Sequence, residues 1–535
     1  MKKSSLFMAV LCAAVLTGLP HFAHAADNSA AKPPETNSEQ SSTTSGAVTV
    51  GGQAIQYTAV AGILTVGATD TEDAQLGADG KPQPGSDLAA QFAAAKNASD
   101  QPPLAHMFYV AYFKKDADAE HRPITFLYNG GPGSSTVWLH MGAFGPKRVD
   151  TDDMDTHLPA APYRLTDNEN SLLDVSDLVF IDMPGTGFGR LTGKDAGKAF
   201  WGINEDGQAF ARFIQRFLTQ YNRWNSPRYI FGESYGTTRS AVLSNLLENN
   251  YNIDLNGVIL LSQIFNFTVD VDGPQMNPGV DLAYELALPT YAATAMYHHK
   301  IPQQPLQPFL EQVEAFAMGP YEQALAKGTD LSQAEKQATA EKLHDYTGLP
   351  VDYLMRGDLR IPGPAFEKTL QQDTDTTTGR LDTRFSGPTI DPLSESAEYD
   401  PQSSAISSAY VSLFNQYVRD TLHFGDGETY LPEANYPNFT WNFMQNGFPE
   451  MNVAPDLAMA MKTNPKLKVM VNGGYYDLAT PFFAAQYEDK HLPIEQRLAA
   501  NIQYHWYESG HMVYVRTSAL QQLHDNVAAF IKSTE

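Results

Sequence analysis

The pentapeptide GESYG at positions 232–236 has the form G-x-S-x-G and centres on Ser234. It follows the apolar run RYIF and precedes a helical pattern, the context in which this motif forms a sharp strand-to-helix turn. Such a turn lifts the serine hydroxyl above the sheet, and its glycines are needed because side chains are crowded there. The motif therefore predicts Ser234 as the nucleophile of an acyl-transfer reaction.

A nucleophilic serine needs a base, and the base needs an orienting acid. His511 lies in ESGHM (508–512), directly after the last strand-like run, and Asp477 follows the run KVMVN. A single aspartate in such a place is more often a turn residue, but both residues lie at strand ends, where a sheet-edge site would need them. The chain order Ser234, Asp477, His511 is that of the α/β-hydrolases and differs from the chymotrypsin and subtilisin orders.

A glycine-rich turn, NGGPGSS (129–135), follows the strand-like run ITFLY. Such a turn after an early strand can direct backbone N–H groups towards a developing oxyanion. A phosphate-binding loop is the competing interpretation, and the lack of a G-x-x-x-x-G-K-[ST] sequence argues against it. A second glycine-rich stretch, GTGFG (185–189), lacks the G-x-G-x-x-G form and so does not indicate a dinucleotide site.

To bring these residues together, the chain needs a sheet whose strands are separated by helices. Nearly continuous apolar runs predict strands of a mostly parallel sheet at 107–113, 124–128, 178–182, 228–232, 257–262, 468–472 and 502–507. Alternating residues from Ala47 predict earlier strands with a Gly-Gly turn at 51–52. Residues 207–221, and those after Gly236, repeat apolar side chains at i, i+3, i+4 spacing and predict helices. The alternation predicts an α/β fold with a doubly wound sheet.

The stretch from 269 to 444 differs in composition, because strand-like runs are scarce and residues 331–346 and 405–422 have amphipathic helical patterns. We therefore expect a first core part at 47–268, a mainly helical cap insertion at 269–444 and a second core part at 445–535. Residues 26–46 are polar and have no apolar periodicity, which predicts a flexible linker.

The N-terminus has the pattern of a secretory signal peptide at 1–25. Two lysines at 2–3 precede an apolar run at 6–19, and an A-x-A motif follows at 23–25. An N-terminal anchor helix is the alternative interpretation, but the run is short for a bilayer. The pattern predicts cleavage after Ala25 and export to the periplasm or the medium. Cleavage would remove Cys12, the single cysteine of the chain.

The balance of 36 basic and 61 acidic residues gives a formal net charge of −25. Such a chain repels phosphate backbones and anionic lipid, so we expect neither nucleic acid nor a membrane surface as a partner.

A single cysteine excludes an intrachain disulfide and a cysteine-based zinc site. No HExxH sequence occurs, and we interpret the His298-His299 pair as ordinary exposed residues and not as metal ligands. We therefore expect no metal and no cofactor. No later apolar run approaches 18 residues, and no membrane anchoring is expected.

Five blocks of the sequence resemble those of the serine carboxypeptidase family, and they occur in the family's order. They are NGGPGSS (129–135), DMPGTGFG (182–189), GESYG (232–236), GGYYDLATP (473–481) and GHMV (510–513). The proline iminopeptidases share a G-G-P-G turn but differ around the nucleophile. The resemblance implies an α/β-hydrolase core with a helical cap over the cleft.

The resemblance also implies a role for each matching residue. These are the triad Ser234, Asp477 and His511, the oxyanion-hole donors Gly131 and Tyr235, and the carboxylate-binding residues Asn129, Gly130 and Glu233. A carboxyl group at Glu233 can hold a carboxylate substrate only if one of the two is protonated, so we expect binding to be best at acid pH. A structural acid hydrogen-bonded to backbone is the alternative interpretation of Glu233.

Four positions depart from the family pattern. Ser134 stands where the family usually has a cysteine, and Leu127 and Met183 replace an aromatic and a polar residue. Ala143 stands where eukaryotic members place a second acid, which puts a shared-proton acid pair in doubt. The triad is unaffected, but the neighbouring pocket differs.

We expect a serine-type carboxypeptidase that acts on peptides or small proteins through an acyl-enzyme. An esterase or acyltransferase would use the same triad, and sequence alone leaves that alternative open. A catalytically silent binding protein is a third hypothesis, against which the intact triad and oxyanion turn argue. The oligomeric state is not readable from the sequence.

Overall fold

The computed structural model describes residues 41–151, 153–436, 438–445 and 451–535. A ten-stranded sheet forms the centre of this part of the chain. Its strands are β1 (Ser41–Val50), β2 (Gln53–Gly67), β3 (Leu104–Lys114), β4 (Ile124–Tyr128), β5 (Asp177–Ile181), β6 (Arg190–Thr192), β7 (Arg228–Glu233), β8 (Gly257–Leu261), β9 (Lys468–Gly474) and β10 (Ile502–Tyr507). The expected signal peptide at 1–25 lies outside the described residues.

The strand order is β1-β2-β3-β5-β4-β7-β8-β9-β10, and β6 pairs with β3. All pairs from β5 to β10 along this order are parallel, whereas β1, β2, β3 and β6 pair antiparallel. Strands β4, β5 and β8 are buried throughout, as continuous apolar runs between two helical layers require. The mostly parallel α/β fold predicted from the sequence is confirmed, and every predicted apolar run contains or overlaps a strand.

The expectation of a flexible linker at 26–46 is wrong for the last six of these residues. Residues 41–46 belong to β1 and pair antiparallel with residues 57–62 of β2. This strand lies at the edge of the sheet, so backbone hydrogen bonds to a single neighbour hold it and its polar side chains stay largely in solvent. An apolar alternation is therefore not needed there, which is why composition alone misplaced the boundary.

Helices cover both faces of the sheet. The α-helices are α1 (Asp70–Asp73), α2 (Asp87–Ala94), α3 (Ala196–Phe200), α4 (Ile203–Gln220), α5 (Tyr235–Asn249), α6 (Leu282–Tyr297), α7 (Leu306–Phe316), α8 (Glu322–Ala326), α9 (Gln333–Thr347), α10 (Val351–Arg356), α11 (Gly363–Thr369), α12 (Pro401–Asp420), α13 (Ala454–Thr463), α14 (Phe482–Lys490), α15 (Gln496–Ala499) and α16 (Thr517–Thr534). Helices α4, α5 and α13 pack on one face, and α12 and α16 contribute to the core on the other. No helix in the described ranges is long and apolar enough to cross a membrane.

The expected single cap at 269–444 consists of two parts in the structure. Helices α6 to α11 share a separate apolar core, which also includes side chains from 475–484. Helix α12 instead packs into the main core through Tyr410, Phe414 and Tyr417. The prediction treated both as one insertion because both have helical periodicity, and periodicity does not tell which surface an apolar stripe covers.

Several carboxyl groups lie buried in this fold. Burial raises the pKa of Asp182 to about 7, of Glu367 to about 8, of Glu488 to about 8 and of Asp489 to about 7. Each is less than a tenth exposed. These side chains therefore hold a proton at pH values where a solvent-exposed carboxyl is ionised.

Candidate active site

Ser234 occupies the turn between β7 and α5, at the carboxyl end of the sheet. Its backbone has φ 60° and ψ −132°, a conformation that non-glycine residues rarely adopt. Its N–H donates to the carbonyl of Leu261 at 2.9 Å. A Cβ on Gly232 would lie 2.1 Å from the carbonyl oxygen of Gly236, so the turn tolerates no side chain at that position. The predicted strand-to-helix turn is present.

His511 and Asp477 meet as an acid–base pair. Nδ1 of His511 lies 2.8 Å from Oδ2 of Asp477, and both side chains are buried. Thr480 donates its N–H to Asp477 Oδ1 at 2.9 Å and its hydroxyl to Oδ2 at 2.7 Å. Burial acts to lower the pKa of His511, but the Asp477 carboxylate outweighs it and the net shift is upward. Asp477 thus orients the imidazole and stabilises its charged form.

The carboxyl end of β8 and the residue after it link the serine turn to the histidine loop. Leu261 accepts the Ser234 N–H, and the neighbouring Ser262 donates its hydroxyl to the carbonyl of His511 at 2.7 Å. Among the described residues no hydrogen bond joins the Ser234 hydroxyl to the His511 ring. In proteins without bound substrate, such catalytic contacts are often long and tighten only in the complex.

The glycine-rich turn lies against the N-terminus of α5. A Cβ on Gly130 would lie 2.4 Å from the backbone nitrogen of Tyr235, so only glycine permits this approach. Gly131 has φ 107° and is exposed. Tyr235 is the first residue of α5, and its N–H therefore has no partner within the helix. The turn and the helix N-terminus together offer backbone donors beside Ser234, as an oxyanion hole would require.

Glu233 is the last residue of β7 and is only 2% exposed. Burial raises its pKa to about 7, although the His511 charge, the Tyr514 hydroxyl and the Asn129 side chain each act to lower it. The Tyr514 hydroxyl lies 2.9 Å from Oε2 and 3.1 Å from Oε1. In the part of the chain that the structure describes, the Glu233 carboxyl is bound by a side chain and by no backbone N–H group. Sequence reasoning missed Tyr514, which follows the GHMV block directly.

Asn129 is held at the end of β4 by groups that the sequence did not single out. Its Oδ1 accepts the Leu139 N–H at 2.9 Å, and its carbonyl accepts Nη1 of Arg239 at 2.7 Å. Arg239 is fully buried and pairs with Asp206, with Nε 2.6 Å from Oδ2. This buried pair joins α4 to α5, and through Arg239 it links the glycine-rich turn to the helix that follows Ser234.

A cap segment, residues 379–384, holds the two loops that carry Asp477 and His511. The Arg380 carbonyl accepts the N–H of Leu478 at 3.1 Å, and the Leu381 carbonyl accepts the N–H of His511 at 2.6 Å. Arg384 pairs with Asp382 and extends to the Ser509 hydroxyl at 3.2 Å. No local pattern in 379–384 indicates these contacts, because they join residues that lie 98 to 130 positions apart in the chain.

A second segment, residues 430–434, holds the oxyanion turn from the other side. Its Pro432 carbonyl accepts the Ser135 N–H at 2.9 Å, and its Ala434 N–H donates to Gly133 at 2.7 Å. The buried Asp182 accepts the Thr136 N–H at 2.7 Å and the Tyr430 hydroxyl at 3.0 Å. The turn is therefore fixed by inserted residues as well as by the sheet.

The arrangement is suited to acyl transfer by a serine nucleophile. The eight residues predicted from the sequence lie at three strand ends, after β4, β7 and β9, and in the loop after β10. Within the described ranges, no group of three or more His, Cys, Asp and Glu side chains could hold a metal ion.

Comparisons with known proteins agree with this geometry. A family model described as serine carboxypeptidase matches residues 97–526, about four-fifths of the chain. The pheromone-processing carboxypeptidase KEX1 of Saccharomyces cerevisiae is 32% identical over 140 residues, which are 26% of this chain and 17% of that protein. The protein of the same name from Phytophthora infestans is 29% identical over 148 residues, 24% of this chain and 21% of that protein. The matched segments thus span about a fifth of these curated relatives.

Among solved structures, the prohormone-processing carboxypeptidase Kex1(delta)p from Saccharomyces cerevisiae aligns with a TM-score of 0.51 at 15% identity. The alignment covers 89% of this chain and 91% of that chain. At such low identity the likeness concerns the fold, an α/β-hydrolase sheet with inserted helices.

Proposed function

Because this chain belongs to the serine carboxypeptidase family, we propose that it is a serine-type carboxypeptidase that releases the last residue of a peptide. One observation carries the proposal beyond a general serine hydrolase. The carboxyl group next to the nucleophile, Glu233, is 2% exposed and has its pKa raised to about 7. A buried carboxyl that can hold its proton is a partner for a substrate carboxylate, which an endopeptidase or an esterase substrate does not present.

In the proposed reaction, Ser234 attacks the last peptide carbonyl and His511 takes its proton. Asp477 keeps the imidazole in the required tautomer through the 2.8 Å contact and stabilises the imidazolium. The oxyanion is received by the N–H groups of Gly131 and Tyr235. His511 then gives the proton to the leaving amine, and water hydrolyses the acyl-enzyme by the same route in reverse.

Glu233, Asn129 and Gly130 are proposed to bind the terminal carboxylate. Below about pH 7 the Glu233 carboxyl is protonated and can donate to that carboxylate. Above it, two negative charges would face each other, so KM for a free-acid peptide should rise with pH. His511 has to be neutral to act as base, and its raised pKa makes turnover fall at low pH. Release of C-terminal residues should therefore have a bell-shaped dependence on pH.

The test compares one N-blocked peptide as free acid, as C-terminal amide and as simple ester, between pH 4 and pH 8. We expect release of the last residue from the free acid and not from the amide. We also expect the advantage of the free acid over the ester to shrink as pH rises through about 7. Ester turnover without peptide release would replace the proposal by the alternative esterase or acyltransferase. No turnover of any of the three would favour a binding protein.

The matched variant is Ser234→Ala, with exposed Ser396→Ala as control. We expect Ser234→Ala to lose turnover while its circular dichroism stays that of the parent, because the hydroxyl makes no structural hydrogen bond in the described residues. Turnover retained in Ser234→Ala would remove this residue from the mechanism.

Export is proposed from the sequence alone, on the charged, apolar and A-x-A regions of residues 1–25. The mature enzyme would then begin at Ala26, have no cysteine, and act on peptides in the periplasm or the medium. N-terminal sequencing of protein recovered from the periplasm or the medium tests this. A first residue at Met1 would contradict it.

A further inference from the structure

The terminal-carboxylate site lacks one group that the family resemblance leads one to expect. Ala143, where relatives place a second acid, is fully buried in the π-helical turn Leu139–Phe144. Glu233 therefore has no second acid at that position with which to share a proton. A substrate carboxylate has two oxygens and accepts several hydrogen bonds, so another donor is needed on this side of the site.

Arg148 lies on the short strand Lys147–Val149, directly after that turn. The residue is half-buried, and its Nε is inaccessible to solvent and has no hydrogen-bond partner. Within the described residues, no ion pair and no hydrogen bond involves its guanidinium. A buried guanidinium nitrogen without an acceptor is costly, so such a group is expected to have a partner that comes from outside the chain.

Tyr410 lies on α12, which packs against the short strand Lys147–Val149 that carries Arg148. The side chain is 1% exposed, and its hydroxyl donates no hydrogen bond within the described residues. Burial raises the pKa of this phenol, and the Arg148 charge lowers it while the Glu233 carboxyl raises it. A Cβ on Gly142 would lie 2.7 Å from Tyr410 Oη and 2.6 Å from the Tyr514 ring. Because Tyr514 binds Glu233, these side chains form one cluster.

We propose that Arg148 and Tyr410 bind the α-carboxylate of the substrate's last residue, opposite Glu233 and Asn129. The inference rests on the proposed carboxypeptidase function. The cluster then supplies a cation and a phenol hydroxyl where relatives use a second carboxyl. Both are hydrogen-bond donors that need no proton uptake to receive an anion. Arg148 acts in binding only and takes no part in the proton transfers.

The variants are Arg148→Ala and Arg148→Lys, with Lys147→Ala on the same strand as control. Their kinetics are compared on a free-acid peptide and on an ester of the same acyl group that lacks a carboxylate. We expect Arg148→Ala to lower kcat/KM for the free acid about ten- to hundredfold through KM, the usual range for a charge-assisted hydrogen bond. The ester should stay within about twofold of the parent, and Arg148→Lys should recover part of the loss. Equal losses on acid and ester would make Arg148 structural and overturn the proposal.

A second measurement does not depend on peptidase activity. 3-Phenylpropionate, a carboxylate shaped like a terminal residue, is tested as an inhibitor of ester hydrolysis. We expect its inhibition constant to rise about tenfold or more in Arg148→Ala and less in Tyr410→Phe. An unchanged constant overturns the proposal. The parent protein could hydrolyse esters but no peptides, and still be inhibited by 3-phenylpropionate more strongly than Arg148→Ala is. In that case the proposed carboxypeptidase function fails, but the proposed carboxylate site stands.

A third comparison separates two sources of the carboxylate. Free-acid peptides ending in Gln and in Glu are alike except that the last side chain ends in an amide in one and in a carboxylate in the other. We expect equal relative losses for both in Arg148→Ala, since both have the same α-carboxylate. A loss confined to the peptide ending in Glu would assign Arg148 to side-chain selection and overturn the assignment to the α-carboxylate.

Discussion

The two sides of the candidate catalytic centre are held by different parts of the insertion and by different chemistry. On the acid–base side, residues 379–384 contact the Asp477 and His511 loops through backbone hydrogen bonds and the Arg384–Asp382 ion pair. On the oxyanion side, residues 430–434 contact the glycine-rich turn, and the buried Asp182 holds Thr136 and Tyr430. The first support comes from the cap and the second from the segment after α12.

The supports of the two sides differ in how their charge responds to pH. The supports of the acid–base side are backbone groups and an ion pair that includes an arginine, which stays charged in proteins. The oxyanion side depends on a carboxyl whose pKa burial raises to about 7. As the pH rises through about 7, Asp182 loses its proton and places a negative charge beside the oxyanion turn. The groups that support the triad loops keep their charge over the same range. The two sides should respond differently to substitution and to pH.

The largest effect is expected from the acid–base pair itself. Asp477→Asn keeps the shape but presents an amide to His511, which favours the wrong imidazole tautomer. We expect kcat to fall about 10⁴-fold with KM for a free-acid peptide little changed. Steady-state kinetics check this, with the exposed Asp345→Asn on α9 as control. A loss of less than tenfold would mean that Asp477 does not orient the base.

A smaller effect is expected from separating the cap from the histidine loop. A Cβ on Gly510 would lie 2.4 Å from Cβ of Asp382, so Gly510→Ala has to move one of them. A displacement of His511 by about 1 Å can cost about 10²-fold in kcat. Gly319→Ala, where no atom lies within 4 Å of the added Cβ, is the matched control. Kinetics equal to those of the control would show that the cap contact does not position His511.

The smallest effect is expected on the oxyanion side and concerns stability. Asp182→Ala leaves the Thr136 N–H and the Tyr430 hydroxyl without an acceptor, at a cost of about 1–3 kcal/mol each. Asp182→Asn keeps an acceptor and cannot ionise, so its Tm should fall less than that of the parent between pH 5 and pH 8. Calorimetry at both pH values provides the comparison. Parallel profiles for Asp182→Asn and the parent would contradict a titrating support.

The sequence predicted the sheet well where its strands are buried on both faces. Continuous apolar runs such as ITFLY and GVILL coincide with β4 and β8. The edge strand β1 was placed too late because its first residues are polar and are held by backbone pairing. The Ser234 turn was predictable because a local motif specifies it, and strand ends with the right chain order pointed to Asp477 and His511.

The supports of the site could not be predicted in the same way. The Leu381–His511 contact joins residues 130 positions apart, and nothing in 379–384 differs from an ordinary loop. The Arg239–Asp206 pair is fully buried. From the sequence alone, each of the two residues would be assigned to the solvent-exposed polar face of its helix. A single sequence records which residues are apolar, but it does not record which buried charges face each other.

The buried carboxyl groups make the proton a ligand of the folded state. Asp182, Glu233, Glu367, Glu488 and Asp489 keep their protons to about pH 7 or 8, whereas in the unfolded chain they lose them near pH 4. Between these limits the folded protein binds more protons, so its free energy of unfolding decreases as pH rises. Unfolding at pH 6 should release protons, which calorimetry in buffers of different ionisation enthalpy registers. Acidity thus acts on this protein as a bound cofactor would, stabilising the same form that Glu233 needs in order to receive an anion.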